Sequence, residues 1–111
     1  MSEKVRVGGL YVTRKEDGSY TALKVLKTDD GGVHVRLYSN KYPNRPNSID
    51  ESELYIAGFD RKPGEELGMG HAPVSWDSFR KWRAEFVQQS TVTDKELEGY
   101  KIWREAGGGY F

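Results

Sequence analysis

Residues 33–38 read Val33, His34, Val35, Arg36, Leu37, Tyr38, with apolar and polar or aromatic side chains in strict alternation. Successive side chains of an extended strand point to opposite sides, so Val33, Val35 and Leu37 share one face of a sheet, and His34, Arg36 and Tyr38 the other. Neighbouring stretches supply partner strands. Leu10, Tyr11, Val12 and Thr13 run into a turn of Lys15, Glu16, Asp17 and Gly18, whose glycine is free to take positive φ. Residues 20–27 form the next apolar stretch, closed by Asp29, Asp30, Gly31 and Gly32. Leu54, Tyr55 and Ile56 suggest a short fourth strand, after an irregular segment at residues 39–47 that holds Pro43 and Pro46. The pattern predicts a compact, strongly bent antiparallel sheet.

The second half changes character. Residues 59–73 carry Gly64, Gly68, Gly70, Pro63 and Pro73 without periodicity, and read as a connector or a functional loop. Ser75 then suits a helix N-cap and Asp77 the positive end of the helix dipole, while Trp76, Phe79, Trp82 and Phe86 recur at spacings of three and four. A second helix is expected after Thr93, whose hydroxyl and Glu96 have the capping-box spacing. Leu97, Tyr100 and Trp103 make its buried stripe, Gly107 stops it, and Tyr110 and Phe111 are expected to pack back on the domain. The organisation is one domain over residues 1–111: a sheet at 7–57, a Gly/Pro-rich connector at 58–74 and a helical hairpin at 75–106.

Composition narrows the function. A length of 111 residues supports one core, and 17 basic against 17 acidic side chains exclude a surface that is basic or acidic throughout. With 36% hydrophobic and 13% aromatic residues the chain has enough large apolar area to fold. The absence of cysteine removes disulfides, thiolate zinc sites, iron–sulfur clusters and a cysteine nucleophile. Apolar runs are far short of the ~20 residues that span a bilayer, and the N-terminus has no apolar signal stretch, so the expectation is a soluble cytoplasmic protein without a membrane partner.

Chemistry-bearing motifs are few. Residues 31–49 contain no acid while holding His34, Arg36, Lys41 and Arg45, interleaved with Tyr38, Tyr42 and three asparagines. Cations for phosphate or carboxylate, rings for stacking and amides for polar edges suit an anionic ligand. His34, Arg36, Tyr38, Lys41, Tyr42 and Arg45 are therefore the candidate ligand-binding residues, against the plainer reading of a solvated strand face and an ordinary loop. Arg80, Lys81 and Arg83 read as a solvated helix face. His34 and His71 lack a metal-ligand spacing, and no further cluster supports a metal site. No catalytic residue is assigned. Ser75 lies in no Gly-x-Ser-x-Gly elbow, and Asp29 with Asp30 and Glu65 with Glu66 are adjacent pairs of the kind that solubilise turns and loops. The glycines before residue 75 match neither nucleotide fingerprint, so no cofactor is expected.

The order of Gly9, Leu10 and Tyr11, a strand ending in Lys24, Val25 and Leu26, a turn with two aspartates, the alternating residues 33–38 and a closing Leu54, Tyr55 and Ile56 resembles a Tudor-type or other SH3-like small barrel. The resemblance covers residues 7–57. It implies a peptide-binding barrel whose aromatic cage holds a methylated side chain, with Tyr11, Tyr20 and Tyr38 in the positions of the cage, or a related barrel that binds nucleic acid or ribosomal partners. The two helices lie outside it. The expected fold class is α+β, a small strongly bent antiparallel sheet or SH3-like barrel followed by a C-terminal two-helix hairpin. The expected function is a non-catalytic binding module for an anionic partner, either nucleic acid or an acidic protein surface. The alternative is a stand-alone protein–protein interaction factor such as a toxin-immunity protein or an assembly subunit. Oligomeric state and the closure of the sheet are open at this point.

Overall fold

The computed structural model describes residues 5–110; expectations for residues 1–4 and Phe111 lie outside them. The fold is α+β, with five antiparallel strands and two helices. In chain order the elements are β1 (Gly9–Arg14), β2 (Tyr20–Thr28), β3 (Gly32–Tyr42), a single 3₁₀ turn (Glu51–Glu53), β4 (Met69–Ser75), α1 (Trp76–Trp82), β5 (Glu85–Gln89) and α2 (Glu98–Glu105). The spatial order is β4-β3-β2-β1-β5, an open sheet with β4 and β5 at its edges, so the barrel closure that the resemblance implies is not formed.

The alternation of residues 33–38 divides the sheet as its period demands. Tyr11, Leu23, Val25, Val33, Val35, Ala72 and Val74 form one buried cluster with Phe79 of α1. Leu10, Val12, Ala22 and Tyr38 form another on the opposite face with Ile49 from the long loop. Each fully buried Val or Leu contributes roughly 1.5–3 kcal/mol of transfer free energy before entropy is counted. The β1–β2 hairpin closes at Gly18, whose φ of 87° is the positive value that its turn requires.

Three expectations are corrected. Leu54, Tyr55 and Ile56 do not form a strand: one backbone bond of β3 reaches them, from the Ser39 N–H to the Tyr55 carbonyl (2.8 Å), and side chains of β3 take the others that a ladder would use. The Tyr55 N–H donates to Asn40 Oδ1 (3.0 Å), Asn40 Nδ2 donates to the Glu53 carbonyl (2.9 Å), and the Ala57 N–H donates to Ser39 Oγ (2.7 Å). Leu54 and Ile56 still pack on the second cluster. The fourth strand is instead Met69–Ser75, drawn from the supposed connector. Pro73 is tolerated there since β4 is an edge strand, where a missing N–H costs no ladder bond on the outer side.

The two helices do not form a hairpin, for β5 lies between them. Ser75 caps α1 by accepting from the Ser78 N–H (3.2 Å), as expected. The helix stops after seven residues because Arg83 enters the left-handed region (φ 52°, ψ 46°). Phe86, expected on the helix, is therefore a strand residue whose ring meets Tyr11 edge-on at 5.5 Å. The capping box forms reciprocally, the Glu96 N–H donating to Thr93 Oγ1 (3.2 Å) and the Thr93 N–H to Glu96 Oε1 (2.9 Å), but it closes a turn and not the expected helix start: α2 begins at Glu98, with Leu97 as its N-cap and no side-chain cap. Tyr110 packs back as expected, its hydroxyl on Asp29.

Arg83 is exposed and pays the steric cost of an L-residue at positive φ. Arg83→Gly is expected to raise the unfolding free energy by about 0.5–1 kcal/mol after the glycine's extra unfolded-state entropy is counted. Urea titration of both proteins checks this; an unchanged or lower midpoint would contradict it.

Candidate functional site

The six expected ligand-binding residues do not make one surface. His34 has no exposed area and Tyr38 is 6% exposed, both enclosed on the second face of the sheet. Lys41 is paired with Asp17 (2.8 Å), a contact that holds the Asp17 carboxyl far below the usual range. Arg45 is paired with Glu85 (2.6 Å) and also donates to the Phe86 carbonyl (3.3 Å). The acids missing from residues 31–49 are thus supplied by the β1–β2 turn and by β5. Tyr42 is half-buried against the second cluster. Arg36 is half-exposed on β3. The implied aromatic cage is likewise divided: Tyr11 belongs to the first cluster, while Tyr20 and Tyr38 belong to the second.

What the fold does assemble around His34 is a hydrogen-bonded chain. Asp29 Oδ2 lies 2.8 Å from His34 Nε2, and His34 Nδ1 lies 2.9 Å from His71 Nε2. A carboxylate only accepts, so His34 carries its proton on Nε2 in the neutral chain, and its Nδ1 accepts from His71 Nε2–H. The imidazole planes are 10° apart with centroids 5.1 Å apart, an in-line ring-to-ring arrangement. Tyr110 donates its hydroxyl to the Asp29 carboxylate (2.6 Å), as do the N–H groups of Gly31 and Gly32 (2.9 Å each). Tyr100, Trp103 and Tyr110 wall the His34 ring at centroid distances of 4.7, 4.5 and 5.5 Å.

Burial pushes the Asp29 carboxyl up, but the donors from Tyr110, His34 and Gly32 outweigh it and hold the group below its ordinary value. Burial, and then the neighbouring His34, lower His71 to about 4. Burial and the Asp29 carboxylate both push the Tyr110 phenol up, so it stays a donor. Sequence reasoning had no direct sign of this chain, because 37 positions separate the two histidines and only the β3–β4 pairing brings them together.

A second polar group on this face was also missed. Lys24 is 5% exposed and directs its ammonium at Glu96 Oε2 (2.9 Å), Glu51 Oε1 (3.2 Å) and the Thr91 carbonyl (3.0 Å). Three acceptors match the three N–H bonds of an ammonium. Burial lowers the Lys24 pKa, yet its bonds to Glu96 and Glu51 outweigh this, and the net shift is upward. A lysine flanked by Leu23 and Val25 in an otherwise apolar strand was the available hint.

A concave surface lies elsewhere, where the β1–β2–β3 end of the sheet meets the end of α1. A cleft of about 390 Å³ is lined by Thr13, Thr21, Leu37 and the buried Ala22, Leu23 and Tyr38, with Arg14, Lys15, Glu66, Leu67, Lys81 and Trp82 at its rim. Its rim carries three cations against one carboxylate, and Lys15 spans to Glu66 at 3.1 Å. Among the described residues no group of three or more His, Asp or Glu side chains is arranged to hold a metal ion. Among the same residues no helix is long and apolar enough to cross a membrane. Comparisons with protein-family models, with curated proteins and with solved structures found no match.

The Tyr110 hydroxyl is a charge-assisted donor in a half-buried setting. Tyr110→Phe is expected to lower the unfolding free energy by about 1–2 kcal/mol, since His34 and two backbone donors remain on Asp29. Urea denaturation at pH 7 measures it; a loss within error would show that the bond merely replaces water.

Proposed function

We propose that the protein is a non-catalytic binding module that seats an acidic protein segment in the cleft between the β1–β2–β3 end of the sheet and the end of α1. The observation that carries this reading is the cleft itself, with an apolar and hydroxyl-lined floor and a basic rim. Such a site suits a segment that places an apolar side chain on Leu37 and the exposed Leu67 and carboxylates against Arg14, Lys15 and Lys81. A single-stranded nucleic acid is less well served. Tyr38 is almost wholly buried and Trp82 packs on the core, which leaves little free ring face for stacking bases. The one array of groups with acid–base chemistry is taken up by its own contacts: His34 is enclosed, and Asp29 is engaged by four donors. This reading keeps the binding-module character that the Tudor-type resemblance implies and uses none of its cage.

A second reading, a stand-alone factor that docks on another protein, is favoured by Phe59. Its side chain is 97% exposed on the loop that also presents Arg61 and Lys62.

The test is an amide NMR titration with a Glu-rich peptide carrying one leucine, and in parallel with a twelve-residue oligothymidylate. Saturable shifts at Arg14, Leu37 and Lys81 with the peptide are expected, and Lys81→Glu combined with Arg14→Glu should weaken binding about tenfold or more, roughly 1.4 kcal/mol. Binding of the oligonucleotide alone at these residues would replace the protein segment by nucleic acid. If neither probe moves the cleft, the reading is wrong.

A further inference from the structure

The Asp29, His34 and His71 chain is also the platform on which α2 stands. That helix has eight residues and one buried side chain, Tyr100, and a helix so short does not persist without docking. Tyr100 and Trp103 lie against both imidazoles, with centroids 6.1 and 5.9 Å from His71 in addition to their contacts with His34. At Gly99 the helix comes so close that an added Cβ would lie 2.7 Å from the His71 Cβ. Beyond the helix, Trp103 Nε1–H donates to the Gly109 carbonyl (2.9 Å) and Tyr110 to Asp29. The seating of residues 98–110 on the sheet thus runs through titratable groups.

We propose that this chain is an acid-released clasp: protonation of both imidazoles detaches residues 98–110 from the sheet, while the five strands stay folded.

The reason lies in counting protons. In the neutral chain His71 Nε2–H donates to His34, and His34 Nε2–H donates to Asp29. One added proton is accommodated: it enters at His71 Nδ1 as the His71 Nε2 proton passes to His34 Nδ1, and His34 as an imidazolium then donates from both nitrogens, to Asp29 and to His71 Nε2. A second has no such place. With both rings charged, two N–H groups face each other across 2.9 Å and two cations share one carboxylate.

The charged groups around the site are Asp29, bonded to His34; Asp30, beside Tyr110; Lys27 of β2, whose ammonium lies 5.4 Å over the Tyr100 ring; and Arg36 of β3, whose guanidinium would be 3.7 Å from a Cβ on Gly70 of β4. On His71 itself burial acts most and the neighbouring His34 next. Trp76 of α1 contributes an uncharged donor to the Asp29 carbonyl (2.9 Å), and the Tyr110 phenol, pushed up by burial and by Asp29, stays neutral.

The seated form holds His71 at about 4 against an ordinary 6.5, chiefly through burial, and departure of the tail relieves that burial, so the released form binds more protons between these values. Docking is therefore complete above about pH 6.5 and weakens as pH falls toward about 4. The nearby Lys24–Glu96 pair does not release in the same window. Despite burial, the Glu96 carboxyl is held below its ordinary value by the Thr93 N–H and by Lys24.

The experiment follows the full chain by NMR from pH 7.5 to 4, reading the Trp103 indole N–H and the amides of residues 98–110 against Val25 and Val35 in the sheet. The expected result is a reversible loss of the native tail signals below pH 6.5 with the sheet signals unmoved. His71→Gln retains an N–H donor that does not titrate, and should keep the tail seated through pH 4.5. Loss of tail and sheet together, no change in the wild-type tail, or the same profile in His71→Gln would each overturn the proposal. Should His71→Gln fail to seat the tail at pH 7.5, Tyr110→Phe decides. It keeps both imidazoles but weakens the clasp at Asp29, and must raise the midpoint of release; an unchanged midpoint overturns the proposal.

Discussion

His34 has no exposed surface, so both of its ring nitrogens must find partners inside the protein. Much of the C-terminal half follows from that requirement. One nitrogen is met by Asp29 in the turn just before β3, which obliges the turn to curl back over its own strand. The other is met by His71, which fixes β4 beside β3 and places its histidine in reach. Asp29 then recruits the Tyr110 hydroxyl, and the imidazole pair recruits Tyr100 and Trp103. Without the polar chain, α2 would have an aromatic stripe and nothing to lay it on.

The two faces of the sheet are consequently different materials. The first is apolar through Tyr11, Leu23, Val25, Val33, Val35 and Val74, and α1 closes it with Phe79. The second alternates apolar side chains with His34 and Lys24, and its cover is built from polar anchors: Glu96 and Glu51 on Lys24, Asp29 on His34. Burying an ammonium and an imidazole is unfavourable unless each donor is matched, and here each is. Breaking one partner leaves a buried group exposed to that penalty, whereas an apolar cover would lose only contact area. This is why proton uptake by the imidazoles bears on the seating of α2 in a way that the same change on a surface histidine would not.

The legible parts of the fold were those set by local physics. The period of residues 33–38 placed β3 and both of its faces, Ser75 marked the start of α1, and the Thr93 and Glu96 spacing marked the turn into α2. The illegible parts were set by tertiary contacts. Residues 69–75, with a glycine, a proline and only Ala72 and Val74 in the core, carry little strand propensity of their own and become a strand because β3 offers a ladder. Phe86 fits a helical stripe with Trp76, Phe79 and Trp82, and one left-handed residue at Arg83 transfers it to a sheet edge. The site failed in the same way. Lys41 and Arg45 were unpaired within their own segment, and their acids arrive from Asp17 and Glu85 across the fold.

That left-handed residue also accounts for the cleft. Seven helical residues extend about 10 Å, while the nine residues of β2 extend about 30 Å, so α1 cannot roof the first face even if it lies along the strands. Because it ends at Trp82 and the chain turns to pair with β1, the far end of the face is left open, rimmed by Lys81 and Trp82 on one side and by Arg14 and Lys15 of the hairpin on another. A single strained residue thus separates a covered core from a concave surface.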